Sequence, residues 1–364
     1  GTCEMQYQIK PEIKIGPFKE NIYINNLSEN ILVLTSKSLN KIHQIQEFFD
    51  YENCQVISSV EPELPFSYIQ KLYKEINFYP DVIIAIGGGS VMDLGKAMSV
   101  AKDFLTLESL FLKKIVNYKK HARLLAIPST FGTGAETSFG SILYDDTNEK
   151  KDGLRSKVIQ ADTVIIDSNI YSSASSKIMA ESGFDCLTHA IETYLSHASN
   201  AIVKYQSIAA INVIFDELEN AVINKKEASI LKMGIASMMM GLNLAYSSTC
   251  LPHRIQYVIG PMTNTSHAQG LLMLYKGWFK LIAKQSKESS EIQSLLNDLN
   301  LSFGDFEEKV FSLRKRLGID YCLKDFNIFD SDINTIANSI SGNLTNDPFY
   351  SDLDSVKFLL REAL

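Results

Sequence analysis

The chain is poor in the residues that organise several protein classes. Its five cysteines (Cys3, Cys54, Cys186, Cys250, Cys322) are odd in number and scattered, with no CxxC pair. That excludes a disulfide framework or thiolate zinc site as the organising principle, and a reducing, cytoplasmic setting is expected. Positive charge is in deficit, 35 Lys and Arg against 42 Asp and Glu. A nucleic-acid binder needs a basic face to replace counterions around phosphates, so no nucleic-acid partner is expected. The opening GTCEMQYQIK lacks the apolar run of a secretory leader. No stretch reads as the ~18 apolar residues of a membrane span, so no membrane partner is expected either. Internal repeats and low-complexity tracts are also missing.

What is present is apolar material at 45% of 364 residues, enough for two packed domains. In the first half, short apolar runs alternate with amphipathic stretches. ILVLTS (31–36), CQVISSV (54–60), DVIIAIGGGS (81–90), RLLAIPS (123–129) and TVIID (163–167) read as strands. Between them, LNKIHQIQEFFDY and FSYIQKLYKEINFY read as helices. Uninterrupted β-branched strands belong to parallel sheets covered on both faces, so a doubly wound α/β domain is predicted over 1–168. Beyond it the apolar residues recur at helical spacing with no clear strand, which predicts an all-α domain over 169–364. The Met238–Met240 run reads as core filling.

Two loops follow strands. GGGSVMDLGKA (87–97) passes from the strongest strand into a helix, where glycines admit a pyrophosphate and a helix N-terminus offers free N–H groups. It is not GxGxxG, and a sharp structural turn also needs glycine. PSTFGTGAET (128–137) presents Ser129, Thr130 and Thr133, hydroxyls suited to a nicotinamide or ribose site; a plain polar turn has the same composition.

Histidine is scarce, six in all. In FDCLTHAIE, Asp185 and His189 stand at i and i+4 on one helical face. His253 and His267 follow in LPHRIQYVIGPMTNTSHAQG, with a Gly-Pro turn expected between them. One carboxylate and three neutral imidazoles suit Fe(II) or Zn(II).

These motifs together resemble the iron-containing (group III) alcohol dehydrogenase family. GGGSVMDLGKA is similar to its GGGSxxDxxKA turn, PSTFGTGAE to its PTTxGTGSE loop, and GFDCLTHAIETYLS to its G-x-D-A-x-x-H-x-x-E segment. His253, Gly260 and His267 fit its H-x-x-x-H-x-x-G-x(6)-H pattern, and Asn346-Asp347-Pro348 is similar to its NPR segment. The resemblance implies a dehydroquinate synthase-like two-domain fold with a metal on Asp185, His189, His253 and His267. It implies a dinucleotide pyrophosphate at Gly88, Gly89 and Ser90. Around the nicotinamide half it implies Asp93, Thr130, Thr133 and Ser138, with Lys151, or its neighbour Lys150, on the ribose. A homodimer is also implied.

Two positions depart from the pattern. Tyr257 replaces the middle histidine of H-x-x-x-H, a candidate proton relay in the family. A phenol in that place passes a proton or lines the pocket wall. After the first long strand, where many NAD-preferring relatives carry aspartate, this chain has Ser36 and then Lys37. Loss of the carboxylate removes repulsion of a 2′-phosphate, so NADP(H) is favoured over NAD(H). Arg254 follows a ligand histidine and reads as half of a structural salt bridge, or as a holder of an anionic substrate group.

The expected activity is hydride transfer between NAD(P)H and a small aldehyde or primary alcohol in an interdomain cleft, with the metal as Lewis acid. The alternatives are a reductase of an anionic aldehyde such as a phosphonate or carboxylate semialdehyde, a dehydroquinate synthase-like cyclase, and a relative that has lost catalysis. The cyclase requires a glutamate and two histidines, which the Asp185/His189 pair does not match.

Overall fold

The apolar strand at 82–87 becomes the middle of a parallel sheet. In a computed structural model, which describes residues 3–23 and 28–364, the strands are β1 (Glu12–Ile15), β2 (Ile31–Thr35), β3 (Cys54–Ile57), β4 (Val82–Gly87), β5 (Arg123–Pro128), β6 (Gly140–Asp145), β7 (Lys150–Arg155) and β8 (Thr163–Ile166). Six of them form one parallel sheet in the order β1-β8-β5-β4-β2-β3, and β6 and β7 form an antiparallel hairpin. Every residue of β2 and β4 is buried, as continuous apolar strands between two helical layers must be. The helices of this part are α1 (Phe18–Asn21), α2 (Lys37–His43), α3 (Ile45–Phe48), α4 (Phe66–Glu75), α5 (Gly89–Val100), α6 (Phe104–Phe111) and α7 (Ser168–Ser172). Val33, Ile84, Ile86, Ile127 and Ile165 pack with Phe18, Leu39, Ile45 and Ile170 in one core. α5 lies so near the sheet that a Cβ on Gly95 would stand 3.0 Å from Ala85 Cβ.

The order of the strands places the functional end. From β2 the chain proceeds to β3 on one side, then returns to β4 on the other, so the direction of winding reverses between β2 and β4. Ligands of open α/β sheets bind beyond the strand C-termini at such a reversal. Thr35 is in register with Ile86 and Gly87 with Pro128, so Ser36, Gly88 and Ser129 leave three adjacent strands at one rim.

The remaining helices are α8 (Ser176–Leu195), α9 (Ala201–Ile223), α10 (Glu227–Tyr246), α11 (Leu251–Thr263), α12 (His267–Ala283), α13 (Ser290–Leu299), α14 (Phe303–Arg316), α15 (Ile333–Ser339) and α16 (Leu353–Glu362). α8 is buried from Gly183 to Leu195 and packs against α9, α10 and α12. α10 is long and apolar enough to cross a membrane by length and composition, contrary to the expectation that no segment is. It packs against α8 and α9, with Met238 and Met240 buried.

The described residues form two units. One comprises Gln8–Thr130 and Gly134–Ala174; the other takes the residues up to Tyr7, Phe131–Thr133 and Ser175–Leu364. The division is therefore not a single cut at 168, because three residues of the glycine-rich loop join the helical unit. The helix expected over 39–51 is broken at Gln44, which adopts a left-handed conformation between α2 and α3. The Gly-Pro turn expected between His253 and His267 is instead helical. Gly260 and Pro261 lie in the last turns of α11, and the chain turns at Asn264, left-handed with φ 51°. A proline so near a helix end costs only one internal hydrogen bond, so the helix continues past it.

Candidate functional site

Asp185, His189 and Glu192 stand at i, i+4 and i+7 on α8 and make one buried stripe. Asp185 Oδ1 is 3.5 Å from His189 Nε2. α11 adds His253, and ligand atoms of Asp185, His189 and His253 lie within 4.8 Å of one another. His267, the first residue of α12, stands beside this set with Nδ1 3.4 Å from Asp185 Oδ2. Its ring centroid is 5.1 Å from that of His253 and 6.2 Å from that of His189. The other three side chains are buried; that of His267 is 35% exposed, at the open side of the cluster.

The hydrogen bonds fix which nitrogen each buried ring presents. His189 Nδ1 is 2.9 Å from the Gly132 carbonyl oxygen. A carbonyl only accepts, so Nδ1 carries the proton and Nε2 turns its lone pair towards Asp185. His253 Nδ1 donates in the same way to Glu192 Oε1 at 2.8 Å. His253 Nε2 is then a bare acceptor, buried and without a hydrogen-bond partner among the described residues. An orphaned buried polar atom costs about 1–3 kcal/mol, which a bound cation would relieve. A carboxylate with imidazole lone pairs converging beside it fits a divalent metal of the Fe(II) or Zn(II) type.

Charge agrees with this geometry. Burial pushes the Asp185 carboxyl upward, but the imidazoles of His189, His267 and His253 outweigh it and hold the group well below the usual range. Burial, helped by His253 and His267 and opposed by Asp185, pulls His189 down to about 4. The neutral ring it needs as a ligand is thus its ordinary state at neutral pH. Burial also acts upward on Glu192, yet His253, Tyr275 and the Cys250 N–H keep it low and ionised.

Two carboxylates hold the start of α11. Its N-cap, Cys250, makes no side-chain cap. Instead the Cys250 N–H donates to Glu192 Oε1 at 3.0 Å and the Leu251 N–H to Asp347 Oδ2 at 2.8 Å. Pro252 has no N–H to satisfy. His253, third residue of the helix, is thereby fixed from two directions. Asp347 also accepts from Trp278 Nε1 at 3.0 Å and from Phe349 N at 2.7 Å. Burial pushes its carboxyl up to about 6 in spite of these donors.

Tyr257 is 54% exposed, and its hydroxyl makes no hydrogen bond among the described residues. Arg254 forms no salt bridge among the described residues, which corrects the ion-pair expectation. Its terminal nitrogens donate to Thr249 Oγ1 and Ser248 Oγ, both at 3.1 Å, and its Nε is buried without a hydrogen-bond partner among the described residues.

In the α/β unit, Gly88 is the N-cap of α5, with no side-chain cap and no acidic residue in the first turn. The N–H groups of Gly89 and Ser90 therefore remain available to an anion. Ser36 and Ser129 leave the neighbouring strands at the same rim, and Thr130 lies 3.7 Å from where a Gly88 Cβ would be. The Ser36 hydroxyl serves as N-cap of α2, accepting from Leu39 N at 3.3 Å. Thr133 belongs to the helical unit, apart from Ser129 and Thr130.

Asp93 and Ser138 meet at a residue that motif reading passed over. Lys96 is buried and donates to Ala135 O at 2.6 Å and Ser138 Oγ at 3.1 Å, and lies 3.8 Å from Asp93 Oδ1. Glu136 is buried nearby with Oε1 unpartnered among the described residues; burial raises it to about 7 against the pull of Lys96. Burial likewise raises Asp93 to about 6, with Lys96, the Ile142 N–H and Lys151 acting downward. Lys151 lies exposed on β7, opposite Tyr144, while Lys150 is engaged with Asp152 and the Phe111 ring. Glu192, Asp347, Lys96 and Glu136 all lie inside segments whose patterns were recognised. Their signal was a single charge amid small or apolar neighbours.

Comparison with known proteins identifies the family. The family profile for iron-containing alcohol dehydrogenase matches residues 20–168, and the profile for the C-terminal part of the Fe-containing alcohol dehydrogenase family matches 179–364. An aldehyde-alcohol dehydrogenase of Streptococcus pneumoniae serotype 4 is 29% identical over 59% of this chain, a match spanning only 26% of that longer protein. The NADPH-dependent butanol dehydrogenase of Clostridium saccharobutylicum is 28% identical over 79% of this chain and 76% of its own. The fold is similar to that of a sulfoacetaldehyde reductase from Bifidobacterium kashiwanohense solved with NAD+, at TM-score 0.88 and 21% identity, covering 99% of this chain and 98% of that one. By its two profile matches, the chain belongs to the iron-containing alcohol dehydrogenase family.

Proposed function

We propose that the chain is a metal-dependent oxidoreductase that moves hydride between NAD(P)H and a small aldehyde or primary alcohol. The observation that carries this reading is the buried, unpartnered His253 Nε2 beside Asp185 and His189. When bound, Fe(II) or Zn(II) would supply Lewis acidity towards a carbonyl oxygen, and the reduced nicotinamide the hydride. The chain's own residues bind and orient. Asp185, His189, His253 and His267 hold the metal, and Gly132 and Glu192 keep two of those rings in the ligand tautomer. Gly88, Gly89 and Ser90 hold a pyrophosphate, and Asp93, Ser129, Thr130 and Ser138 line the nicotinamide half, with Lys151 on the ribose. Tyr257 Oη, exposed one turn beyond His253, gives the proton that the reduced substrate oxygen takes up.

NADP(H) is the favoured cofactor, because Ser36 and exposed Lys37 offer no carboxylate against a 2′-phosphate. A cytoplasmic homodimer is the proposed working form. A second reading, reduction of an aldehyde bearing an anionic group, is favoured by Arg254, whose guanidinium has no carboxylate partner among the described residues. The butanol dehydrogenase and sulfoacetaldehyde reductase relatives support the reaction class and, between them, both substrate readings.

One experiment tests these points. Metal-depleted protein should not oxidise NADPH in the presence of butyraldehyde or a sulfonated or carboxylated aldehyde. Added Fe(II) or Zn(II) should restore turnover, faster with NADPH than NADH, and His253→Ala should neither retain metal nor turn over. Full turnover by metal-free protein would sink the proposal; the better aldehyde separates the two substrate readings.

A further inference from the structure

We propose that Glu192 is a positioning residue for the metal, setting the affinity of the site through His253 without touching the metal. This rests on the metal reading above. Glu192 is fully buried and receives three donors: His253 Nδ1 at 2.8 Å and the Cys250 N–H at 3.0 Å on Oε1, and Tyr275 Oη at 2.8 Å on Oε2. All three give hydrogens, so the carboxylate is the acceptor throughout and His253 has no alternative to a protonated Nδ1. The orphaned Nε2 is the consequence.

Two effects follow, one of orientation and one of charge. The bond to Glu192 locks the ring plane and tautomer, so the lone pair does not have to be organised when a cation arrives. A carboxylate hydrogen bond also draws the Nδ1 proton and strengthens Nε2 as a donor. In charge, Asp185 supplies one negative group to a buried dication and Glu192 the second, so the loaded site is neutral with Glu192 and carries +1 without it. Glu192 sits seven residues after Asp185 and three after His189, so one helix carries two ligands and the group that orients the third.

The test is a competition titration of Zn2+ into metal-free full-length protein against a chromophoric chelator. Glu192→Gln keeps an acceptor for the His253 and Cys250 N–H groups and removes the charge. Tyr275 Oη can still donate to Thr188 O, at 3.4 Å. The expected result is about 10–100-fold weaker Zn2+ binding with the metal-free unfolding midpoint little changed. A loss under threefold overturns the inference, since a carboxylate that merely fills the core would alter unfolding and leave affinity alone. Should Glu192→Gln prove insoluble, Glu192→Asp decides: the side chain is one methylene shorter, so its carboxylate is drawn back from His253 Nδ1, and threefold or greater weakening supports the proposal while less overturns it. Wild-type protein that fails to bind Zn2+ and Fe2+ stoichiometrically overturns the metal reading itself, an outcome distinct from unaltered affinity in the variant.

Discussion

A single buried carboxylate with an unpartnered oxygen is an unusual thing to keep in a core, and among the described residues Glu136 is such a group. Burial raises it from 4.5 to about 7, and Lys96 offsets that only in part. Between these values the folded chain holds a proton that the unfolded chain has released, so stability falls as pH rises through the window. Its contribution is fully present below pH 4.5 and lost by pH 8. Glu136→Gln lacks this titration, so its stability relative to wild type should rise by about 3 kcal/mol between pH 4.5 and pH 8. Urea unfolding of both proteins at the two pH values measures it; a difference independent of pH would remove the argument. Residues of this kind were poorly legible from sequence. Asp185, His189, His253 and His267 were recognisable because ligand chemistry restricts the residue types. Glu192 and Lys96 were seen as letters of a motif, but their roles depend on bonds to residues 61 and 42 positions away.

Between elements, close approach decides which glycines matter. Gly277 on α12 faces α16: an added Cβ would strike the Leu359 carbonyl oxygen and Ala363 Cβ. Alanine gains about 1 kcal/mol of helix propensity over glycine, but a backbone carbonyl cannot swing aside as a side chain does. Overpacking should therefore win, and Gly277→Ala should lose about 2 kcal/mol, read as a lower urea midpoint at unchanged slope. Gly304 on α14 is the control, since its Cβ would meet only Ser302 Oγ at 4.0 Å; Gly304→Ala should be neutral or mildly stabilising. Strands β2, β4, β5 and β8 were legible because burial on both faces makes them continuously apolar. The β6–β7 hairpin was not: KKDGLR is largely exposed and its partner alternates, so neither has a sheet-core composition. β1 is a four-residue edge strand, too short for a period-two pattern to register. The Gly-Pro in α11 misled for a related reason, because a proline in the last turns of a helix looks locally like a stop.

At the scale of the whole molecule, the proposed ligands staple α8 to the consecutive helices α11 and α12, which follow it only after α9 and α10. Asp185 and His189 come from α8, His253 from the start of α11 and His267 from the start of α12. A ligand that binds only the folded form stabilises it by about 4 kcal/mol at a thousand times its dissociation constant. That gain should not be spread evenly. Local opening of α11 or α12 breaks the metal site, so those openings become rarer when metal binds, whereas opening of β1 or the β6–β7 hairpin leaves the four ligands in place. Hydrogen exchange of metal-free and Zn2+-loaded protein should therefore show added protection over 176–195, 251–263 and 267–283, with little change over 140–155. The thermal midpoint should rise in the same titration. Uniform protection across both units would mean that metal acts on global unfolding alone. No protection at α11 and α12, with zinc bound, would place the ion somewhere other than on His253 and His267.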